Sequence, residues 1–326
     1  MELPKYSGTI HPKEWLKQVQ AHCYLKEIEN EQTVLKICKL MIDSTIIIPD
    51  EINSFNELIE TLKSHSTFNI FKNSCNKKLQ EMEYTSQQDI AKFLANFRSL
   101  CNNVEINDPK EIIFLLTASC SNYFIKNEFN KRVDGINSID KIFEIFSDVV
   151  FEESKTIKYG SLIALKHVAT GKYLSSCNTY YQTGSGCQVV SASEKLPKAN
   201  DLWNVSCISH YNENESYQYN TVCYNDTIYL THKTTNSVLY FSNHKSPTTG
   251  HAEVNCRSGN QNLKCNPTNN NGPYVNTKDV ITLSYNGYTL RSHDFTFTIN
   301  NKTFQEVVGY QGRISGNDEW QIEIIK

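Results

Sequence analysis

Two hydrophobic periods divide this chain of 326 residues. From Pro12 to about Ser154 the apolar positions recur at helical spacing. Ile90, Phe93, Leu94, Phe97, Leu100 and Cys101 fall at i, i+3, i+4, i+7, i+10 and i+11, one face of an amphipathic helix that needs a partner. Val34, Ile37, Cys38 and Met41 repeat the pattern, as do Ile139, Ile142, Phe143, Phe146 and Val149. Start signals agree: Ser54-x-x-Glu57 reads as a capping box, Ser86 and Ser138 suit N-caps, and Pro12 and Pro109 sit where first-turn prolines are tolerated. The pattern predicts six to eight helices in an all-α bundle over residues 1–155.

Near Thr156 helical spacing gives way to alternation, and Tyr, Thr, Ser and Asn rise while Lys thins out. The second half contains a threefold echo anchored by Ile163-Ala-Leu165-Lys-His167, Ile228-Tyr-Leu230-Thr-His232 and Ile281-Thr-Leu283-Ser-Tyr285. Leu174, Leu239 and Leu290 follow, then Val189, Val254 and Val307, the third copy slightly shifted. Thr170-Gly171-Lys172 and Asn286-Gly287 supply the positive-φ residues of tight hairpins. The first and third copies end alike, in Asn200-Asp201-Leu202-Trp203 and Asn317-Asp318-Glu319-Trp320. Units that cannot bury their own apolar face stack on their copies, and three copies of about four short strands close on themselves without an open edge. The expected fold is multidomain α + β, with the helical bundle followed by an all-β β-trefoil over residues 157–326. Its ends should meet through Ile322 and Ile324.

Composition narrows function by exclusion. Net charge is -3; residues 1–157 carry 23 acidic and 18 basic groups, and residues 158–326 carry 12 and 14, so no polybasic face invites nucleic acid. The N-terminus lacks a signal-like apolar run, and no stretch approaches the roughly 20 apolar residues of a membrane span. A cytoplasmic protein without membrane contact is expected. Eleven cysteines with no CxxC read as reduced thiols, and the sequons at Asn204, Asn214, Asn225 and Asn301 as unglycosylated. No phosphate loop, G-x-S-x-G, H-E-x-x-H or paired His/carboxylate cluster occurs. His22 and His65 stand isolated, and Cys177 with Cys187, or Cys256 with Cys265, lack metal-ligand spacing. The expectation is a non-enzymatic binding protein with no catalytic, metal or cofactor-binding residue, no cofactor, and unassigned ligand contacts.

Two resemblances follow from particular residues. Ile163 to Ser176, which includes Thr170-Gly171-Lys172-Tyr173-Leu174, with Asn200-Asp201-x-Trp203, Leu290-Arg-Ser-His293-Asp294 and Asn317-Asp318-x-Trp320, resembles the MIR domain. That module is shared by protein O-mannosyltransferases, inositol trisphosphate receptors and ryanodine receptors, and implies a β-trefoil that binds and does not turn over. The middle copy departs, with Asn262-Leu263-Lys264-Cys265 in place of Asn-Asp-x-Trp. The helical half, through Tyr6-Ser7-Gly8, Trp15, Phe97-Arg98-Ser99-Leu100-Cys101 and Phe114-Leu115-Leu116, resembles the Gag or capsid-like region of Ty3/gypsy-type retrotransposons. This implies self-association into a homo-oligomer. It lacks a zinc knuckle and an Asp-Thr-Gly or Asp-Ser-Gly. The pairing of such modules also resembles expanded gene families of soil and mycorrhizal fungi.

His167 and His232 share a position with Tyr285, an exchange that a metal or catalytic role does not tolerate, so each should pack its ring and bond a neighbouring turn. Trp203 and Trp320 sit beside alternating apolar positions and should be buried. Asn200-Asp201 and Asn317-Asp318 should be turn formers. The loops Asn178–Gly186, Tyr211–Asn225 and Cys256–Tyr274 are rich in Tyr, Asn, Ser and Gly and are the expected recognition surface, with Tyr180 and Tyr181 the residues on which a glycan would depend. A protein partner is favoured over a glycan, because a cytoplasmic location leaves few free glycans to bind and no exposed-tryptophan constellation survives the burial argument.

Overall fold

The computed structural model describes residues 3–207, 220–269 and 272–325, and falls into two units, Met1–Val150 and Phe151–Lys326. Among the described residues there are eight α-helices: α1 (Pro12–Leu25), α2 (Glu31–Leu40), α3 (Phe55–Ser64), α4 (Ser66–Gln80), α5 (Ile90–Val104), α6 (Pro109–Ala118), α7 (Tyr123–Arg132) and α8 (Ile139–Glu153). The predicted faces are inside: Phe93, Phe97, Leu100 and Cys101 on α5 and Ile142, Phe143, Phe146 and Val149 on α8 are buried. Pro12 and Pro109 open α1 and α6, and the Ser54 hydroxyl accepts from Glu57 N. Ser138 Oγ accepts from Lys141 N at the start of α8. Ser86 is not a cap. Asp89, directly before Ile90, accepts from Ala91 N and Lys92 N, and its charge also suits the positive helix end.

The helical unit is itself a tandem repeat that the sequence reading missed. Tyr84, Phe93, Cys101, Glu105 and Cys120 stand 78 residues after Tyr6, Trp15, Cys23, Glu27 and Ile42. Their geometry matches. Tyr6 forms a parallel bridge to Ile42 and Tyr84 one to Cys120, and Tyr6 packs on Trp15 at 5.1 Å as Tyr84 does on Phe93 at 5.2 Å. Both Glu27 and Glu105 leave their helices left-handed, at φ 58 and 63, so that Ile28 N and Ile106 N close back on Cys23 O and Cys101 O. The unit is therefore two four-helix lobes in succession.

The second unit is a β-trefoil with, among its described residues, twelve strands: β1 (Leu162–His167), β2 (Leu174–Tyr180), β3 (Gln188–Ala192), β4 (Leu202–Ser206), β5 (Thr227–His232), β6 (Val238–Lys245), β7 (Ala252–Arg257), β8 (Leu263–Pro267), β9 (Val280–Tyr285), β10 (Tyr288–Ile299), β11 (Lys302–Tyr310) and β12 (Trp320–Ile324). Six of them close a barrel in the order β1, β4, β5, β8, β9, β12 and back to β1, every pair antiparallel. The closing pair sets Ile163 against Ile324 and Leu165 against Ile322, as the repeat predicted. The hairpins β2–β3, β6–β7 and β10–β11 form a triangular cap through β3–β7, β7–β11 and β11–β3. Around the pseudo-threefold axis, Val222 N bonds Ile157 O, Val275 N bonds Val222 O and Ile157 N bonds Val275 O, at 2.7–2.9 Å. No edge is left open in this ring.

Register corrects one repeat position. Ser176, Phe241 and Ser292 pair with Val190, Val254 and Val307, so Val190, and not Val189, belongs to the central core beside Val254 and Val307. Val189 faces the other way, into a small cluster with Tyr181, Phe297 and Ile299. A one-residue slip in a strand always moves a side chain to the opposite face. The same register makes Val189, Glu253 and Glu306 equivalents.

Candidate ligand-binding cleft

Most residues that looked suggestive in the sequence are structural, and the threefold geometry shows why. Trp203 and Trp320 are fully buried, and their Nε1 groups donate to Leu174 O at 2.9 Å and Leu290 O at 3.0 Å. Trp203 pairs with His232 and Trp320 with His167, ring to ring at 5.0 and 4.9 Å. In the middle copy Leu263 takes the tryptophan's place beside Tyr285, since Lys264 pairs with Ser284. Asp201 and Asp318 accept from the turn amides Lys198 N and Ser315 N, both at 2.7 Å. Gln261 stands at their position in the middle copy and bonds both the N–H and the C=O of Phe241 instead.

Both histidines span two turns. His167 Nδ1 lies 2.9 Å from Thr170 Oγ1 and its Nε2 2.9 Å from Asn317 O; His232 repeats this with Thr235 Oγ1 at 2.8 Å and Asn200 O at 2.9 Å. Burial pushes the pKa of each below its ordinary 6.5, against the opposing pull of the carbonyl. A neutral ring that joins two loops is the result.

Tyr181 does not await a ligand. It is buried, and its hydroxyl lies 3.3 Å from Val190 O and 3.1 Å from Val254 O, while neighbouring Tyr180 is exposed. Of the loop Tyr211–Asn225, residues 211–219 lie outside the described residues, as does the Asn214 sequon; so do residues 270 and 271 of Cys256–Tyr274. No group of three or more His, Cys, Asp or Glu among the described residues could hold a metal ion, and no described helix is long and apolar enough to cross a membrane. The described cysteines are free thiols.

The trefoil does carry a cleft, of about 530 Å³, between the β1–β2 turn of the first copy and a bulge in β10 of the third. Strand register breaks between Ser292 and Thr296, which throws His293-Asp294-Phe295 out of the ladder. Phe295 is left 59% exposed. Its ring meets His293 edge to face at 4.8 Å, and Phe295 N donates to His293 Nδ1 at 3.2 Å, which fixes the bulge. Lys172, Lys195, Thr170 and Asn317 line the other side.

Buried groups hold this arrangement from behind. Gln305 accepts from Lys172 Nζ at 2.6 Å and donates to Ser292 Oγ at 3.0 Å. His167 ties Thr170 to Asn317, the two turns of one wall. Beneath the bulge, Glu306 is fully buried, 3.3 Å from His293 Nε2, and accepts from Thr248 N and Thr249 Oγ1, both at 2.8 Å. Burial by itself would raise the Glu306 pKa; His293 and the Thr248 and Thr249 donors outweigh it and leave the carboxyl at about 2. Glu253, its equivalent, is buried likewise and holds Ser185 and Asn255. Each carboxylate therefore anchors the tip of the preceding hairpin. Cys177-Asn178-Thr179 and Ser242-Asn243-His244 occupy the bulge in the other copies, so an exposed hydrocarbon ring occurs only in the third. That substitution was the readable signal for the site.

No protein-family model matches the chain. Two curated relatives do. The chain is 29% identical over 142 residues to dolichyl-phosphate-mannose–protein mannosyltransferase 5 of Candida albicans, covering 43% of this chain and 19% of that protein. It is 33% identical over 105 residues to a stromal cell-derived factor 2-like protein of Arabidopsis thaliana, covering 32% and 47%. These similarities support a MIR-type β-trefoil and lend none to the Gag-like reading. The chain thus spans less than half the length of either relative. Among solved structures, the SDF2-like protein from Arabidopsis thaliana is similar at TM-score 0.46 and 27% identity, over 51% of this chain and 94% of that one.

Proposed function

We propose that the trefoil is a non-enzymatic carbohydrate-binding module and that the Phe295 cleft is its site. The observation that carries this is an exposed aromatic face on a rigid bulge, ringed by Asp294, Lys172, Lys195, Thr170 and Asn317. A flat apolar platform with a few convergent polar groups suits a pyranose, whose C–H face stacks while its hydroxyls bond the rim. The preference for a protein partner rests on an expected cytoplasmic location and on the lack of an exposed-tryptophan constellation; Phe295 supplies an aromatic platform of another kind. The name of the Candida relative, a mannosyltransferase, points to mannose-type sugars for the first trials. Binding without turnover is supported by the engagement of His167 and Glu306 in holding loops.

A glycan array probed with the full chain is expected to give one reproducible series, with affinity reduced about tenfold or more by Phe295→Ala, a loss of about 1.4 kcal/mol. Binding that survives Phe295→Ala, or steady cleavage of the bound sugar, would sink the assignment.

For the helical unit the reading is self-association. Tyr24 and Leu25, at the end of α1, and Leu40, at the end of α2, are large apolar side chains left exposed. Sedimentation of the full chain should show mass rising with concentration, and Leu25→Glu should return it to monomer. A monomer at every concentration contradicts this reading and, with it, a capsid-like role.

A further inference from the structure

A cleft of about 990 Å³ in the helical unit opens between its two lobes and takes no part in the proposed sugar site. One wall is α1, with His11 and Lys17; the other is α5, with Leu94, Arg98 and Asn102, and Phe71 of α4 contributes an apolar floor.

Three observations point to a ligand. First, His11 is 6% exposed, and its Nδ1 accepts from Lys13 N, so the proton sits on Nε2. That Nε2 has no hydrogen-bond partner; the nearest carboxylate, Glu105, is 3.5 Å away and already engaged by Lys63 and Lys72. Second, the lining leans positive: it carries Lys13, Lys17 and Arg98 against Glu14 and Glu105, and Glu105 is already engaged by Lys63 and Lys72 from outside the cleft. Arg98 is pinned by Asp140 at 3.0 Å and lies 4.6 Å over the Phe143 ring, with half its surface free. Third, α5 presents Ser99, Asn102 and Asn103, which donate and accept as a peptide backbone does.

We propose that this inter-lobe cleft binds a short acidic segment of a protein partner in extended conformation. Its carboxylates meet Lys17 and Arg98, its apolar side chain lies on Phe71 and Leu94, and its amides bond Ser99 and Asn102. The length agrees, since α5 from Leu94 to Asn103 spans about 14 Å, room for about four extended residues.

Random heptapeptides displayed on phage and selected on the full chain test this. Selected sequences should combine two or more Asp or Glu with an aromatic or branched aliphatic residue. Binding of the synthetic peptides, read by fluorescence polarisation, should fall at least tenfold with Lys17→Glu, recover when the peptide's acids are replaced by lysine, and ignore Phe295→Ala. Lys17 is exposed, so an unchanged thermal melt verifies the variant's fold. Selection of basic or uncharged peptides, no enrichment at all, indifference to both Lys17→Glu and Arg98→Glu, or displacement of the peptide by excess chain acting as a second copy would overturn the assignment.

Discussion

Trp320→Ala should destabilise the trefoil by about 4 kcal/mol, about a quarter or more of what a domain usually has. The indole is fully buried, packs on His167, and supplies the hydrogen bond of Leu290 O, so truncation opens a cavity and strips a buried carbonyl of its donor. Trp203→Ala should behave alike, because Leu174 O and His232 repeat the environment. Leu263→Ala should cost less, about 3 kcal/mol, since the middle copy has no indole N–H to lose. Two-unit chains do not unfold in one step, so the measurement is urea-dependent hydrogen exchange of peptides from residues 157–325. A cost below 1.5 kcal/mol for both tryptophans would show that the core tolerates their loss and that the two Trp-anchored turns are incidental.

The threefold barrel was legible because its signal is periodic: alternation marks strands, and the anchors Leu165, Leu230 and Leu283 recur in register. Positions that depend on hairpin length were not. Val189 was one residue off because the β2–β3 hairpin is longer than its β6–β7 counterpart, and counting from Leu174 cannot see that. Gln261 hid for another reason, since an amide that bonds both groups of Phe241 does the work of Asp201 with different chemistry. In the helical unit the 78-residue repeat keeps few identities, among them Tyr6/Tyr84, Leu16/Leu94, Cys23/Cys101 and Glu27/Glu105. Helix interfaces accept any apolar residue of about the right volume, so Trp15 against Phe93 and Val34 against Ile112 leave no visible motif. The Phe295 cleft is harder still. It joins a turn of the first copy to a bulge of the third, and a bulge is by nature an interruption of the period.

Lowering the pH should weaken the trefoil in two stages. His167 and His232 are held neutral, with pKa values below 6.5, whereas the unfolded chain protonates them near 6.5. As pH falls through about 6.5 the unfolded state binds more protons, so stability begins to drop there and continues down to the folded pKa. Glu306 acts lower. Its folded value of about 2 against an ordinary 4.5 means that its contribution is complete above about 4.5, declines between about 4.5 and 2, and is gone below. That gap corresponds to roughly 3 kcal/mol. Loss of the Glu306 charge frees the Thr248-Thr249 tip and weakens the carboxylate that lies 3.3 Å from His293 Nε2, so the bulge that presents Phe295 should loosen in the same interval. Glu306→Gln should therefore flatten the stability profile below pH 4.5, lower stability at neutral pH by a similar amount, and leave the upper stage intact. His167→Gln should reduce only the upper stage. Hydrogen exchange of the β10–β11 peptides from pH 7 to 3 reads both; an unchanged slope below pH 4.5 in Glu306→Gln would place the acid sensitivity elsewhere.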